Sequence, residues 1–238
     1  MRIFSASLTR PGPRATNEDF LDCWVTETGD TVACIADGLG GMGGGDMASR
    51  LAVTSFRSAL GEYGLDEKAM LAAANIANES IRSAQVAGPH NRMASTLIAV
   101  ALMEDRIVGI HCGDSRASIA RGKGIRRLTT DHSEGQRLLE AGKLSKEELP
   151  SYPRKHILES ALGVRDQPRI DTIHFDLLLG DRIILTTDGV HNLVPLREMQ
   201  RLCASSSSPN ALIEKVEEAV LEIGPADNFS MLALFVDA

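Results

Sequence analysis

The chain has 238 residues, a formal net charge of −7 and 43% hydrophobic residues. That is enough apolar material for one sizeable core, and the acidic surplus repels phosphate backbones, so nucleic acid is not an expected partner. No Lys/Arg run marks a membrane-surface patch and no stretch reaches the roughly 18 apolar residues that span a bilayer, so the chain reads as cytoplasmic.

In chain order, Ile3 to Leu8 partly alternates and ends at Arg10-Pro11-Gly12-Pro13, which predicts a strand and a rigid turn. Phe20 to Val25 and Thr31 to Ala36 predict two strands joined as a hairpin through Thr26 to Asp30. A glycine-rich stretch, Gly38 to Gly45, precedes a predicted helix from Asp46 to about Leu60. A second helix is predicted from Asp66 to Gln85, rich in Ala and Leu and free of proline.

Thr96 to Met103 is a continuous apolar run, as a buried strand would be, and Arg106 to Cys112 pairs with it across Glu104-Asp105. Arg116 to Arg121 and Ile125 to Leu128 flank the turn Gly122-Lys123-Gly124. Strands this close in sequence favour antiparallel pairing. A short helix is predicted at Glu134 to Ala141, strands at Ile170 to Phe175 and Ile183 to Thr187, an amphipathic helix at Pro209 to Ile223, and a final strand at Met231 to Val236. No linker divides the chain, so one domain is expected over residues 1–238. The cysteines Cys23, Cys34, Cys112 and Cys203 lack metal-pair spacing and read as buried free thiols.

Several aspartates share one local pattern: an apolar strand runs straight into Asp. Cys34-Ile35-Ala36 leads to Asp37-Gly38, Ile110 to Gly113 leads to Asp114, Ile184 to Thr187 leads to Asp188-Gly189, and Asp227-Asn228 precedes the last strand. Any one Asp-Gly is more often a turn. Four carboxylates at strand ends would repel one another unless cations sat between them, and hard oxygen ligands suit magnesium or manganese.

The glycine-rich stretch lacks the Gly-Lys-Ser/Thr ending of a nucleotide loop and the dinucleotide fingerprint. It reads as a loop where backbone carbonyls approach a metal closely. Arg14 in Arg14-Ala15-Thr16-Asn17-Glu18-Asp19 could form paired bonds to a phosphate, against the alternative of a solvated turn. The six histidines are scattered; His132 and His191 read as structural rather than catalytic.

Five segments stand in a fixed order: Arg14-x-x-Asn17-Glu18-Asp19, Asp37-Gly38-Leu39-Gly40-Gly41, Gly113-Asp114-Ser115-Arg116, Thr187-Asp188-Gly189 and Asp227-Asn228. Softer matches are Ser95-Thr96-Leu97, Leu128-Thr129-x-Asp131-His132-Ser133 and Ala161-Leu162-Gly163. The ordered set, from Arg14 to Val236, resembles the protein phosphatase 2C-type family of metal-dependent phosphatases. The resemblance implies an α+β fold, a four-layer α-β-β-α sandwich of two antiparallel sheets flanked by helices. It implies two Mn2+ or Mg2+ ions, with a third, weaker one in bacterial members. Asp37 would bridge two metals with the Gly38 carbonyl on one of them, and Asp188 and Asp227 would complete the other. Glu18 would hold metal-bound waters with Asp19 nearby, Asp114 would share a third metal with Asp188, and Arg14 would clamp the substrate phosphate. Catalytic work would thus rest on Arg14, Asp37 and Glu18. Paired cations about 3.5–4 Å apart can activate water for in-line attack on phosphorus without a covalent phosphoenzyme.

Some positions depart from the family pattern. Leu39 stands where eukaryotic members carry a His proposed as the leaving-group acid, so the general acid is unassigned. Met42 and Asp46 stand where bacterial members often have His and Glu, and Pro153-Arg154-Lys155-His156 replaces Pro-x-Arg-Asn. Residues 134–159 match the mobile flap of bacterial members. The expected function is metal-dependent hydrolysis of phosphoserine and phosphothreonine in proteins by a monomer that reverses a Ser/Thr kinase. The altered positions raise one alternative, a pseudophosphatase binding module without turnover, which the full acid set argues against. A metal hydrolase acting on small phosphate esters or nucleotides is the other; for nucleotides, a base-stacking aromatic cluster is missing.

Overall fold

The computed structural model describes residues 1–40 and 43–237. In chain order it contains β1 (Arg2–Arg10), β2 (Asp19–Val25), β3 (Thr31–Leu39), α1 (Gly45–Tyr63), α2 (Glu67–Ala87), β4 (Ala94–Ser95), β5 (Leu97–Leu102), β6 (Arg106–Cys112), β7 (Arg116–Arg121) and β8 (Gly124–Arg127). There follow α3 (Glu134–Glu140), β9 (Asp171–Asp176), β10 (Arg182–Thr186), α4 (Asp188–His191), α5 (Leu196–Ala204), α6 (Pro209–Ile223) and β11 (Phe229–Asp237). Helix starts follow capping chemistry: Asp66 accepts the Ala69 N–H at 2.8 Å to open α2, and Ser208 accepts the Ala211 N–H at 3.2 Å to open α6, with Pro209 in its first turn.

The strands form two antiparallel sheets. One has the order β1-β11-β10-β7-β8; the other has β2-β3-β5-β6-β9, with β4 beside β3. The first and last strands pair along their length, from Arg2 opposite Asp237 to Arg10 opposite Phe229. The predicted hairpins are present, with Val25 opposite Thr31 and Leu102 opposite Ile107.

The two-residue period of a strand explains the layers. In β3, Val32, Cys34 and Ala36 pack toward α1 and α2, whereas Ala33 and Ile35 point at the other sheet. In β11, Phe229, Met231, Ala233 and Phe235 pack against α5 and α6, whereas Leu232, Leu234 and Val236 face inward. Both faces of each sheet are therefore covered, which is why these strands read as unbroken apolar runs although the sheets are antiparallel. The result is the expected four layers: helices, sheet, sheet, helices.

The sequence reading did not include α4, α5 or β4. It placed Thr96 in a strand, but Thr96 sits in the break between β4 and β5, where its hydroxyl accepts the Asp37 N–H at 2.9 Å. Adjacent hairpins also divide between sheets: β6 lies in one and β7 in the other, so Gly113, Asp114 and Ser115 form the crossing between them. Among the described residues no helix is long and apolar enough to cross a membrane. The cysteines are free; Cys34, Cys112 and Cys203 are buried and Cys23 is half-buried.

Candidate active site

At one end of the sandwich a cleft of about 600 Å³ is lined by Arg14, Glu18, Asp37, Asp114, Asp188 and Asp227, among others. The elements explain why these side chains meet. Asp37 lies in β3 directly opposite Asp19 of β2. Like charges in that position oppose strand pairing, so the sheet is working against a local cost here. The Asp37 backbone is fixed from three sides, since its carbonyl accepts from Thr96 N–H at 2.9 Å and from the Ser95 hydroxyl at 3.0 Å, besides the bond that its N–H makes.

Asp114 stands on the crossing between the sheets. Asp188 opens α4 immediately after β10, and Asp227 precedes β11, the neighbour of β10. Asp19 lies just under the cleft. Its Oδ2 accepts from the Thr187 hydroxyl at 2.9 Å, while its Oδ1 is buried with no hydrogen-bond partner among the described residues. Arg14 reaches across the mouth, with Nη2 donating to Asp227 Oδ2 at 2.8 Å. Arg14, Glu18, Asp37, Gly38, Asp114, Asp188 and Asp227 thus line this cleft, with Asp19 opposite Asp37.

Two residues of the glycine-rich stretch leave space for a neighbouring side chain. A Cβ on Gly40 would lie 2.1 Å from Glu18 Oε1, and one on Gly45 would lie 2.5 Å from Glu18 Cδ. These glycines make room for the Glu18 carboxylate. Gly41 and Met42 lie outside the described residues.

Burial and mutual repulsion raise the proton affinity of Glu18, Asp19, Asp37, Asp114 and Asp188. Burial first, then Asp19, Asp188, Asp114 and Asp227, push the Asp37 carboxyl well above the ordinary range. Burial pushes Asp19 up to about 7, helped by Asp188 and Asp227 and opposed by the Ser230 and Thr187 hydroxyls. Asp114 is also pushed up to about 7 by burial and by Asp188 and Asp131, with Arg116 opposing. Asp188 is raised by burial and then Asp227, and Glu18 by burial and then Asp46. Carboxylates that resist ionising together, one buried oxygen without a partner, and an all-oxygen donor set fit hard divalent cations.

Some supporting contacts were not legible in the sequence. Asn228 stitches the N-terminal segment to the cleft: its Oδ1 accepts the Glu18 N–H at 2.8 Å, and its Nδ2 donates to the carbonyls of Pro11 at 2.8 Å and Thr16 at 3.0 Å. His156 brings its imidazole within 4.8 Å of oxygens of both Asp114 and Asp188. The sequence showed it only as a departure from a motif. His132 is not among the residues that line this cleft. Its Nδ1 accepts the Gly113 N–H at 3.3 Å and steadies the residue before Asp114, and its Nε2 lies 3.1 Å from Asp171 Oδ2. His191 is half-buried with Nδ1 3.1 Å from the Thr186 hydroxyl, and burial, followed by the Arg116 charge, holds it well below the usual imidazole range.

The family model for Protein phosphatase 2C matches residues 13–220. The chain is 31% identical to the serine/threonine phosphatase stp of Listeria monocytogenes, over 92% of this chain and 90% of that protein. Its fold is similar to that of the S. agalactiae serine/threonine phosphatase, with a TM-score of 0.92, 27% identity and 99% and 100% of the two chains covered. It is also similar in fold to the catalytic domain of the phosphatase PstP in complex with two manganese ions, with a TM-score of 0.84, 24% identity and 99% of each chain covered. The match extends through all the carboxylates except Asp227, and the relatives are covered almost end to end: the chain belongs to the protein phosphatase 2C family.

Proposed function

We propose that this protein hydrolyses phosphoserine and phosphothreonine in proteins, with manganese or magnesium held by the cleft carboxylates. The observation that carries the reading is the convergence of Glu18, Asp37, Asp114, Asp188 and Asp227 on one cleft with a single guanidinium, Arg14, at its mouth. Asp37 with the Gly38 carbonyl, Asp188 and Asp227 would hold two cations. Glu18 and Asp19 would orient water around them, and Asp114 with Asp188 would hold a third. When bound, such cations supply Lewis acidity and an activated water for attack on phosphorus.

The chain's own residues do the remaining work. Arg14 is half-exposed and paired with Asp227. Arg14 could turn its fork from Asp227 to two phosphoryl oxygens and offset their charge. Thr187 and Thr96 carry no charge and fix the backbones that bear Asp188 and Asp37. Residues 1–238 would act as one phosphatase domain, with 134–159 as a flap beside the cleft. We further read it as a cytoplasmic monomer that reverses a cognate Ser/Thr kinase.

The test is turnover of a phosphothreonine peptide with manganese, with a chelator, and in Asp188→Asn. We expect metal-dependent turnover that falls by more than about a hundredfold in the variant. No turnover by folded, manganese-bound protein would overturn the reading.

A further inference from the structure

A second cleft of about 550 Å³ adjoins the first, and the two share Leu39 and Leu158 as lining residues. The charges change sign between them. The first is lined by carboxylates; the second carries two guanidiniums, Arg165 and Arg169, with one carboxylate, Glu159. Two of these three charges are already committed. Arg169 makes two bonds to Asp171, at 2.9 and 2.8 Å, and Glu159 accepts from Arg137 Nε at 2.5 Å.

Arg165 differs. Its backbone carbonyl is fixed by the amide of buried Asn78 at 3.0 Å, yet among the described residues no carboxylate pairs with its guanidinium. A chain with net charge −7 thus places an unpaired cation on a fixed backbone beside its candidate catalytic cleft. Leu39, Leu158, Ala161 and Val164 give the same cleft an apolar lining.

We infer that this second cleft seats the segment of a phosphoprotein substrate on one side of the phosphorylated residue, and that Arg165 selects an acidic side chain there. The inference rests on the phosphatase reading and names its substrate class: phosphorylation sites flanked on one side by Asp or Glu. The continuity of the clefts allows one extended peptide to occupy both, and a carboxylate that reaches Arg165 leaves no charge unpaired. The apolar lining would cover the aliphatic stem of that acidic residue.

The experiment uses the manganese-loaded protein and phosphothreonine peptides that differ only in Glu, Gln or Lys at positions two and three on either flank. The small ester p-nitrophenyl phosphate, too short to reach the second cleft, serves as reference. We expect kcat/KM to follow Glu, then Gln, then Lys on one flank, with Glu about three- to tenfold above Lys, mainly through KM and less so at high salt. Arg165→Gln should erase that preference while leaving turnover of the small ester unchanged; Arg165→Lys should keep most of it. Equal turnover of all the peptides, or a preference that survives in Arg165→Gln, overturns this inference and leaves the phosphatase reading standing. Turnover of the small ester with none of any phosphopeptide overturns both.

Discussion

Gly189 has no room for a side chain. A Cβ there would lie 1.9 Å from the Asn228 carbonyl oxygen, and one on Gly38 would lie 2.0 Å from that of Gly45. Each Asp-Gly pair looks like a turn in sequence, yet neither glycine takes a positive φ. Their function is close approach: Gly189 lets the start of α4 touch the start of β11, so that Asp188 and Asp227 meet. Gly189→Ala should therefore cost about 1–3 kcal/mol by overpacking and weaken manganese binding as well. Thermal unfolding together with a calorimetric metal titration checks this, and unchanged affinity in a folded variant would break the link between that contact and the metal site. His111 offers a test unconnected to metal. Burial, and then the neighbouring His132, push it down to about 3, against about 6.5 in an unfolded chain. Between these values the unfolded state holds more protons, so stability from this residue is full above pH 6.5 and is lost as pH falls toward 3. At pH 4.5 the loss is about 3 kcal/mol relative to pH 7. Exchanging His111→Gln should remove that share of the acid destabilisation, read as a smaller fall in unfolding midpoint than the parent shows. The aspartates were legible because an apolar run ending in Asp is a local signal. His156 was not, because nothing local marks an imidazole that approaches Asp114 from 42 positions away.

At the scale of elements, strands and long helices were legible where burial imposes a period, as in α6 with Leu212, Ile213, Val216 and Val220 inward. The nine-residue α5 was passed over, although Met199, Leu202 and Cys203 show the same spacing on a shorter scale. Connections between sheets were illegible, because they depend on pairs distant in sequence. Arg121 at the end of β7 binds the fully buried Asp181, between β9 and β10, through two bonds of 2.7 Å, and its guanidinium lies 5.2 Å from the ring centre of Phe175 in β9. Asp181 also accepts the Leu178 N–H at 2.8 Å. This cluster closes the sandwich where the chain passes from one sheet to the other. Asp181→Ala should strand the guanidinium and an amide N–H at once and cost about 2–4 kcal/mol, somewhat reduced because Arg121 is partly exposed. Denaturant unfolding should show a lower midpoint with an unchanged slope. A cost below about 0.5 kcal/mol would mean that the apolar layers alone set the join.

For the whole molecule, three apolar layers hold a frame that brings carboxylates together against their own repulsion. The sign follows from Asp19 and Asp114, both pushed up to about 7 from an unfolded value near 3.8. Between these pH values the folded state holds more protons than the unfolded one. Their contribution is therefore full below about pH 4 and is lost as pH rises through 7. A cation held by these carboxylates would displace those protons, so its affinity should rise with pH over the same window. Manganese at a hundred times its Kd should stabilise by about 2.7 kcal/mol, roughly 5–10 °C in Tm for a chain of this size. At one fixed manganese concentration, the rise in Tm should be larger at pH 8 than at pH 6, and proton release on binding, read by calorimetry in buffers of different ionisation heat, should be larger at pH 6. An equal rise at both values, with no protons released, would mean that the cations bind elsewhere and that the cleft carboxylates are not their ligands.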